Sequence, residues 1–218
     1  MFVGHAAVAL MGKSKAPRLS LGVYFAAAFW LDLLWPLLLI AGLEVVRIDP
    51  GNTAFTPLSF DSYPWSHSLL MVLVWSALAA GLVVWRSRGA AAGLIVGLLV
   101  LSHWVLDAIT HRPDLPLWPG ASPLVGLGLW NVVVLSLILE GGLFLSGILM
   151  YVRATRPIDR TGRLAFWSLI GLMTVIWASQ PFTPPPPSAK AVAFGALVTW
   201  LLPIWAAWAD RHRTQTEI

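Results

Sequence analysis

Residues 90–111 read A-A-A-G-L-I-V-G-L-L-V-L-S-H-W-V-L-D-A-I-T-H. The stretch is apolar and long enough to cross about 30 Å of hydrocarbon as a helix. Its second half nevertheless carries His103, Asp107 and His111. An ionisable group near a bilayer centre costs roughly 2.5–3.5 kcal/mol on insertion scales, so three of them in one span call for a role. Spacing of i, i+4, i+8 advances about 40° per step on a helix, which stacks the three side chains on one face. Two imidazoles and a carboxylate on one face suit zinc or a similar divalent metal.

The rest of the chain extends the membrane reading. Of 218 residues, 58% are hydrophobic and 11% charged, against roughly 25% charged in a soluble domain. The mean hydropathy is +0.77. An all-α integral membrane protein is expected. The absence of cysteine excludes disulfides, thiolate ligands and cysteine nucleophiles. Any metal is left to His, Asp, Glu, backbone or water. The net charge of +4 sits in short loops, so it is no nucleic-acid footprint and no nucleic-acid partner is expected. The opening M-F-V-G-H has no basic n-region, so no cleaved signal peptide is expected and His5 is retained.

Six runs are long enough to span, at approximately 21–43, 66–85, 90–110, 129–152, 164–180 and 191–208. Residues 1–12 form a stub too short to cross, able to reach about mid-membrane as a half-helix. Lys13, Lys15, Arg18, Arg86, Arg88, Arg153, Arg156, Arg160, Arg163, Arg211 and Arg213 fall on one side of these spans. Arg47, Arg112 and Lys190 fall on the other. The positive-inside rule then places both termini in the cytoplasm, with loops 44–65, 112–128 and the prolines at 184–187 outward. Trp65, Trp118 and Trp130 flank the outward ends as an aromatic belt would.

Asp32 falls near the middle of the first span and Glu140 near the middle of the fourth, while His67 opens the second from outside. His5 reaches similar depth only if the stub dips inward. The expected positions converge on a cavity running from the midplane to the outer surface. The candidate metal ligands are His5, Asp32, His67, His103, Asp107, His111 and Glu140. Glu140 is also a candidate general base, and Asp107 a candidate catalytic group. All lie within residues 1–140, so a metal-site core over 1–152 and an accessory two-helix hairpin over 153–218 are expected. The competing readings are a polar helix face lining water or bonding to neighbouring helices, and a buried carboxylate paired with an imidazole. The glycines at 93–97 and 126–129 read as helix packing or a turn, since no phosphate-loop lysine follows. Asn131 reads as a cap or site contact, Arg112 as an anion partner or a loop residue.

The order of these residues resembles the inner-membrane metal-dependent hydrolase family, also described as LexA-binding inner-membrane-associated hydrolases. The match rests on G-H at 4–5, L-D at 31–32, S-H-S at 66–68 and S-H-W-V-L-D at 102–107, and covers roughly residues 1–140. It implies metal-dependent hydrolysis at the bacterial inner (plasma) membrane without naming a substrate. The chain departs from the family where paired acids often follow the first aspartate, because Leu33, Leu34 and Trp35 stand there. It departs again where an arginine often precedes the H-S, because D-S-Y-P-W stands there. The ligand order is also similar to that of zinc-dependent phospholipase C enzymes. That similarity implies Asp107 bridging two metals, with Asp32, His67 and His103 on one side and His111 and Glu140 on the other.

The expected function is a membrane-embedded hydrolase with zinc, or manganese, as cofactor. Its substrate would be a lipidic ester or phosphoester taken at the outer side. Two alternatives stay open: a metal-ion or proton transporter or channel using the same cluster, and a scaffold with a structural metal.

Overall fold

A computed structural model describes residues 1–86 and 89–216; Arg88, counted among the basic loop residues above, lies outside the described residues. Helix α1 is Val3–Lys15. Helices α2 (Leu21–Ala28) and α3 (Trp30–Ile40) divide the first apolar run, with a bend of 56° between them. The antiparallel hairpin β1 (Val45–Ile48) and β2 (Leu58–Ser62) follows. A single helical turn, α4 (Pro64–His67), leads into α5 (Leu69–Trp85). Helix α6 is Ala90–Thr110, and a two-residue pair, β3 (Leu115–Pro116) with β4 (Leu124–Val125), precedes α7 (Val133–Ala154). Strand β5 (Thr155–Pro157), α8 (Arg160–Ser179), α9 (Ala189–Ala196) and α10 (Leu201–Arg211) complete the bundle. Strand β6 (Arg213–Gln215) closes the chain against β5.

Among the described residues, Ala90–Thr110, Val133–Ala154, Arg160–Phe182 and Ala189–Arg211 are long and apolar enough to cross a membrane, and the bent pair α2–α3 makes a fifth candidate. Helix α5 is apolar but shorter. The architecture is therefore a mainly helical bundle of the membrane type. Local chemistry moves several boundaries from those expected. The run expected to start at residue 66 starts at Leu69, because Ser68 is extended and its hydroxyl caps the Met71 amide. The fourth run begins at Val133 after a 3₁₀ turn over Leu129–Asn131, and Asn131 does not cap it. The fifth begins earlier, at Arg160, where the Asp159 carboxylate accepts from Gly162 N at 2.8 Å.

The stub is a full helix inside the bundle. Val3, Ala6, Ala9 and Leu10 of α1 are wholly buried and join one apolar cluster with α2, α6, α7, α8 and α10. Residues from both sides of position 152 therefore share one core. Helix α1 lies so close to α7 that a Cβ on Gly147 would sit 2.7 Å from the Ala7 carbonyl oxygen. The glycines of G-L-I-V-G act similarly for α5 and α6: a Cβ on Gly93 would meet Ala80 O at 2.8 Å. Gly126 and Gly128 take positive φ in the turn before α7. At the far end of α1, Lys13 Nζ lies 2.8 Å from Asp210 Oδ2, and Tyr151 donates to Asp210 Oδ1 at 2.9 Å. That knot ties α1, α7 and α10 together.

Candidate metal centre

Helix α6 places His103 and Asp107 one turn apart on one face, with His103 Nε2 3.1 Å from Asp107 Oδ2. From the start of α1, His5 Nε2 lies 3.2 Å from Asp107 Oδ1. The backbone nitrogen of Met1 lies 2.5 Å from the same oxygen. From α3, Asp32 Oδ1 lies 3.7 Å from His103 Nε2 and 4.0 Å from His67 Nε2. From α4, His67 Nε2 approaches Asp107 Oδ2 at 3.8 Å. Two groups result whose ligand atoms lie within 4.8 Å of one another: His5, His103 and Asp107, and Asp32, His67 and His103.

His111 does not continue the helix as the i, i+8 spacing predicts. Helix α6 ends at Thr110, and His111 is extended at φ −63°, ψ 148°. Arg112 precedes Pro113, and a residue before proline is pushed out of the helical region, so the chain turns away here. His111 Nε2 still comes within 4.0 Å of Asp107 Oδ2. Glu140 lies outside both close groups. Its Oε2 accepts from Phe2 N at 2.9 Å, so it holds the start of α1 and borders the cluster through Met1 and Phe2.

Each ring is aimed by the atom behind it. His103 Nδ1 lies 2.7 Å from the Ala28 carbonyl oxygen. A carbonyl only accepts, so His103 carries its proton on Nδ1 and turns a lone pair on Nε2 toward the acids. The bend after Ala28 is what brings that carbonyl to the ring. His111 Nδ1 lies 3.0 Å from Asp114 Oδ1, to which Tyr63 donates at 2.7 Å. Burial, with Asp114 alongside, pushes the Tyr63 phenol well above its ordinary range, so it stays a donor. Ser66 Oγ lies 2.7 Å from His67 Nδ1 and 2.7 Å from Glu44 Oε2.

The donor set fits a divalent cation. Both His5 nitrogens, His103 Nε2 and Glu140 Oε1 are buried without a hydrogen-bond partner, although buried polar atoms nearly always have one. The approaches of His5 and His103 to Asp107 are close in distance but not aligned as N–H···O bonds. Ligands held about 2.0–2.1 Å from a tetrahedral zinc lie about 3.3 Å from one another. The 3.1 and 3.2 Å separations around Asp107 fall near that value.

A cavity of about 350 Å³ opens from this cluster. Asp32, His67, Asp107 and His111 form its floor, and Trp35, Phe55, Phe60 and Trp130 form an aromatic wall. Gln180, Thr183, Pro184 and Thr199 supply the facing side, so residues beyond 152 border the site directly. Trp130 is not part of a surface belt. It is buried and packs against His111 with ring centroids 4.3 Å apart, whereas Trp65 and Trp118 are exposed. Arg112 turns to Ser59 and Asp114, at 3.5 and 3.7 Å, and does not line the cavity.

Four polar residues of the site were not picked out from the sequence: Glu44, Tyr63, Ser66 and Asp114. Asp114 and Ser66 left local signals, Asp114 three residues after His111 and Ser66 next to His67 in S-H-S at 66–68. Glu44 and Tyr63 reach the cluster through the β1–β2 hairpin and its exit turn, whose folding no single motif announces. In comparisons with known proteins, no family model, curated protein or solved structure matches this chain.

Proposed function

We propose that the protein is a membrane-embedded metal-dependent hydrolase of the inner-membrane family it resembles, acting on a lipidic ester or phosphoester. In this reading α2–α3 and α5 join the four longer helices as six spans, both termini lie in the cytoplasm, and the cavity opens to the outer side of a bacterial inner membrane. The observation that carries the proposal is the convergence of His5, His67, His103, Asp32 and Asp107, with Asp32, His67 and Asp107 lining a largely apolar cavity and the buried His5 and His103 nitrogens behind them left unpartnered.

His103 Nε2 offers a single lone pair, so it would hold one ion, either with His5 and Asp107 or with Asp32 and His67; His111 stands beside them. A zinc or manganese ion lowers the pKa of bound water toward neutrality and polarises an acyl or phosphoryl oxygen. The chain's own groups do the rest. Asp107 faces imidazoles with both oxygens, so it orients ligands and is not free to move protons. Glu140 Oε1 is a buried carboxylate oxygen without a partner; Glu140 does not line the cavity, so as general base it would have to act from behind Met1 and Phe2. The aromatic wall excludes water and accepts a lipid chain, which a soluble substrate would not require.

An ion or proton path is the competing reading. The candidate ligands gather at one end of α1, while the other end carries only the paired Lys13–Asp210–Tyr151 knot. That one-sidedness favours a site over a pore. The deciding experiment is elemental mass spectrometry on detergent-purified wild type, Asp107→Ala and His103→Ala, followed by lipid ester and phosphoester panels. One or two equivalents of zinc or manganese, lost in both variants while the fold persists, together with metal-dependent lipid cleavage, supports the hydrolase. A wild type that binds no metal after reconstitution, or flux through liposomes without cleavage, overturns it.

A further inference from the structure

We propose that Glu44 and Ser66 are positioning residues that keep the His67 proton on Nδ1, leaving Nε2 free to ligate a metal. The inference deepens the metal-site reading above and rests on it. Glu44 enters the β1–β2 hairpin and is only 3% exposed. Its Oε1 accepts from Trp65 N at 2.9 Å and Ser66 N at 2.8 Å, and its Oε2 accepts from Ser66 Oγ at 2.7 Å. Three donors on two oxygens describe a carboxylate, which only accepts. Ser66 has one hydroxyl proton. With that proton directed to Glu44, its oxygen takes its second bond, at 2.7 Å, from His67 Nδ1–H. The His67 Nε2 lone pair is thereby presented 3.8 Å from Asp107 Oδ2 and 4.0 Å from Asp32 Oδ1.

The order of groups matters. In a nucleophile triad the imidazole stands between the carboxylate and the hydroxyl. Here the hydroxyl stands between the carboxylate and the imidazole, and Ser66 is buried. Ser66 is therefore a relay that orients His67, not an attacking group.

This polarity makes an unusual prediction. Glu44→Gln preserves the shape of the side chain. Its amide oxygen keeps the two backbone donors, but its amide nitrogen now donates to Ser66. The Ser66 hydroxyl must then donate to His67 Nδ1, which moves the imidazole proton to Nε2 and removes the lone pair from the site. Ser66→Ala merely cuts the relay and imposes no tautomer. If the trio only supported the fold, the isosteric Glu44→Gln would be the milder change; a relay of this polarity makes it the harsher one.

The test uses the full-length protein in detergent. Nitrogen-15 imidazole spectra of the metal-free protein report which His67 nitrogen carries the proton, and zinc titration with cobalt(II) absorption reports the site. The expected wild type is Nδ1–H. Glu44→Gln switches the proton to Nε2 and lowers zinc affinity by about 10- to 100-fold, the range for loss of an outer-shell partner. Ser66→Ala produces a smaller loss. A wild-type His67 protonated on Nε2, or a folded Glu44→Gln with unchanged tautomer and affinity, overturns the proposal. The wild-type spectrum decides the relay even if Glu44→Gln fails to fold. A wild type that shows Nδ1–H but takes up no metal would sink the metal reading and leave the relay standing.

Discussion

His5 and His103, from α1 and α6, stack face to face with ring centroids 3.6 Å apart and planes inclined by only 5°. Their Nε2 atoms face opposite oxygens of one carboxylate, Asp107, at 3.2 and 3.1 Å. Two imidazoles in a dry site cannot both be protonated at so short a separation without large repulsion. An imidazole ligates in its ring plane, so one ion taken by both nitrogens would require a ring to tilt out of this stack as it binds; in that reading His5 is a direct ligand. His5→Ala should therefore lower zinc affinity by more than the roughly 10–100-fold typical of outer-shell partners. Elemental analysis after dialysis against a chelator checks this. Full retention of metal in His5→Ala would remove α1 from the site.

The position of His5 depends on how closely α1 seats on α7. A Cβ on Gly147 would lie 2.7 Å from Ala7 O and 2.8 Å from Ala7 Cα, and backbone cannot yield as a side chain can. Gly147→Leu should destabilise the protein by about 1–3 kcal/mol, the usual cost of overpacking, and reduce bound metal in parallel. Gly142→Ala, whose Cβ meets nothing within 4 Å, should leave both unchanged. Thermal unfolding in detergent with metal analysis separates the two variants.

At the opposite end of α1, Lys13 and Asp210 are paired with side-chain exposures of 7% and 9%. Removing one partner of a buried pair strands the other charge, at a cost of about 3–5 kcal/mol. Lys13→Met should show a loss of that order in denaturant unfolding. Lys13→Met combined with Asp210→Asn should recover much of it, because no charge is then left behind and the amide oxygen can still accept from Tyr151 or from Leu21 N. A double variant as unstable as the single one would contradict the pairing.

The hairpin over the cavity carries a pH-dependent contact. The Arg47 side chain hydrogen-bonds Asp61 and holds its carboxyl below the ordinary range. A carboxylate with a depressed folded pKa contributes stability above its unfolded pKa and loses it as pH falls through the folded value. Arg47→Gln should thus melt lower than wild type at neutral pH, with the two curves converging in strong acid. The gap should also shrink in high salt, since the pair is exposed at the surface. A gap that persists in acid would assign the effect to packing instead.

Much of the site was legible because its signals are local. His103 and Asp107 share a helix face by spacing alone, and the glycines at 93–97 and 126–129 serve packing and turning as their setting predicts. His111 does come beside Asp107, but not in the helical conformation its spacing suggests, since the chain leaves the helix at Thr110 ahead of Pro113. Trp130 was misread as a membrane-surface ring because an aromatic at a span end is usually one. Its burial against His111 depends on the neighbouring hairpin. Gln180, Thr183 and Thr199 border the cavity although their own stretch carries no ligand, because α9 and α10 fold back across α2 and α3.

By itself the sequence determined the helical membrane class, the exclusion of thiolate chemistry and the pairing of His103 with Asp107. Composition and periodicity act residue by residue and through transfer energies, so they can be read without knowing any long-range contact. Only the tertiary structure decided that α1 lies inside the bundle with His5 stacked on His103. It also decided that Glu140 holds the start of that helix, and that Glu44 and Ser66 stand behind His67. Those relationships join residues far apart in the chain, and close packing with hydrogen-bond satisfaction between elements selects them, not the local preference of either partner.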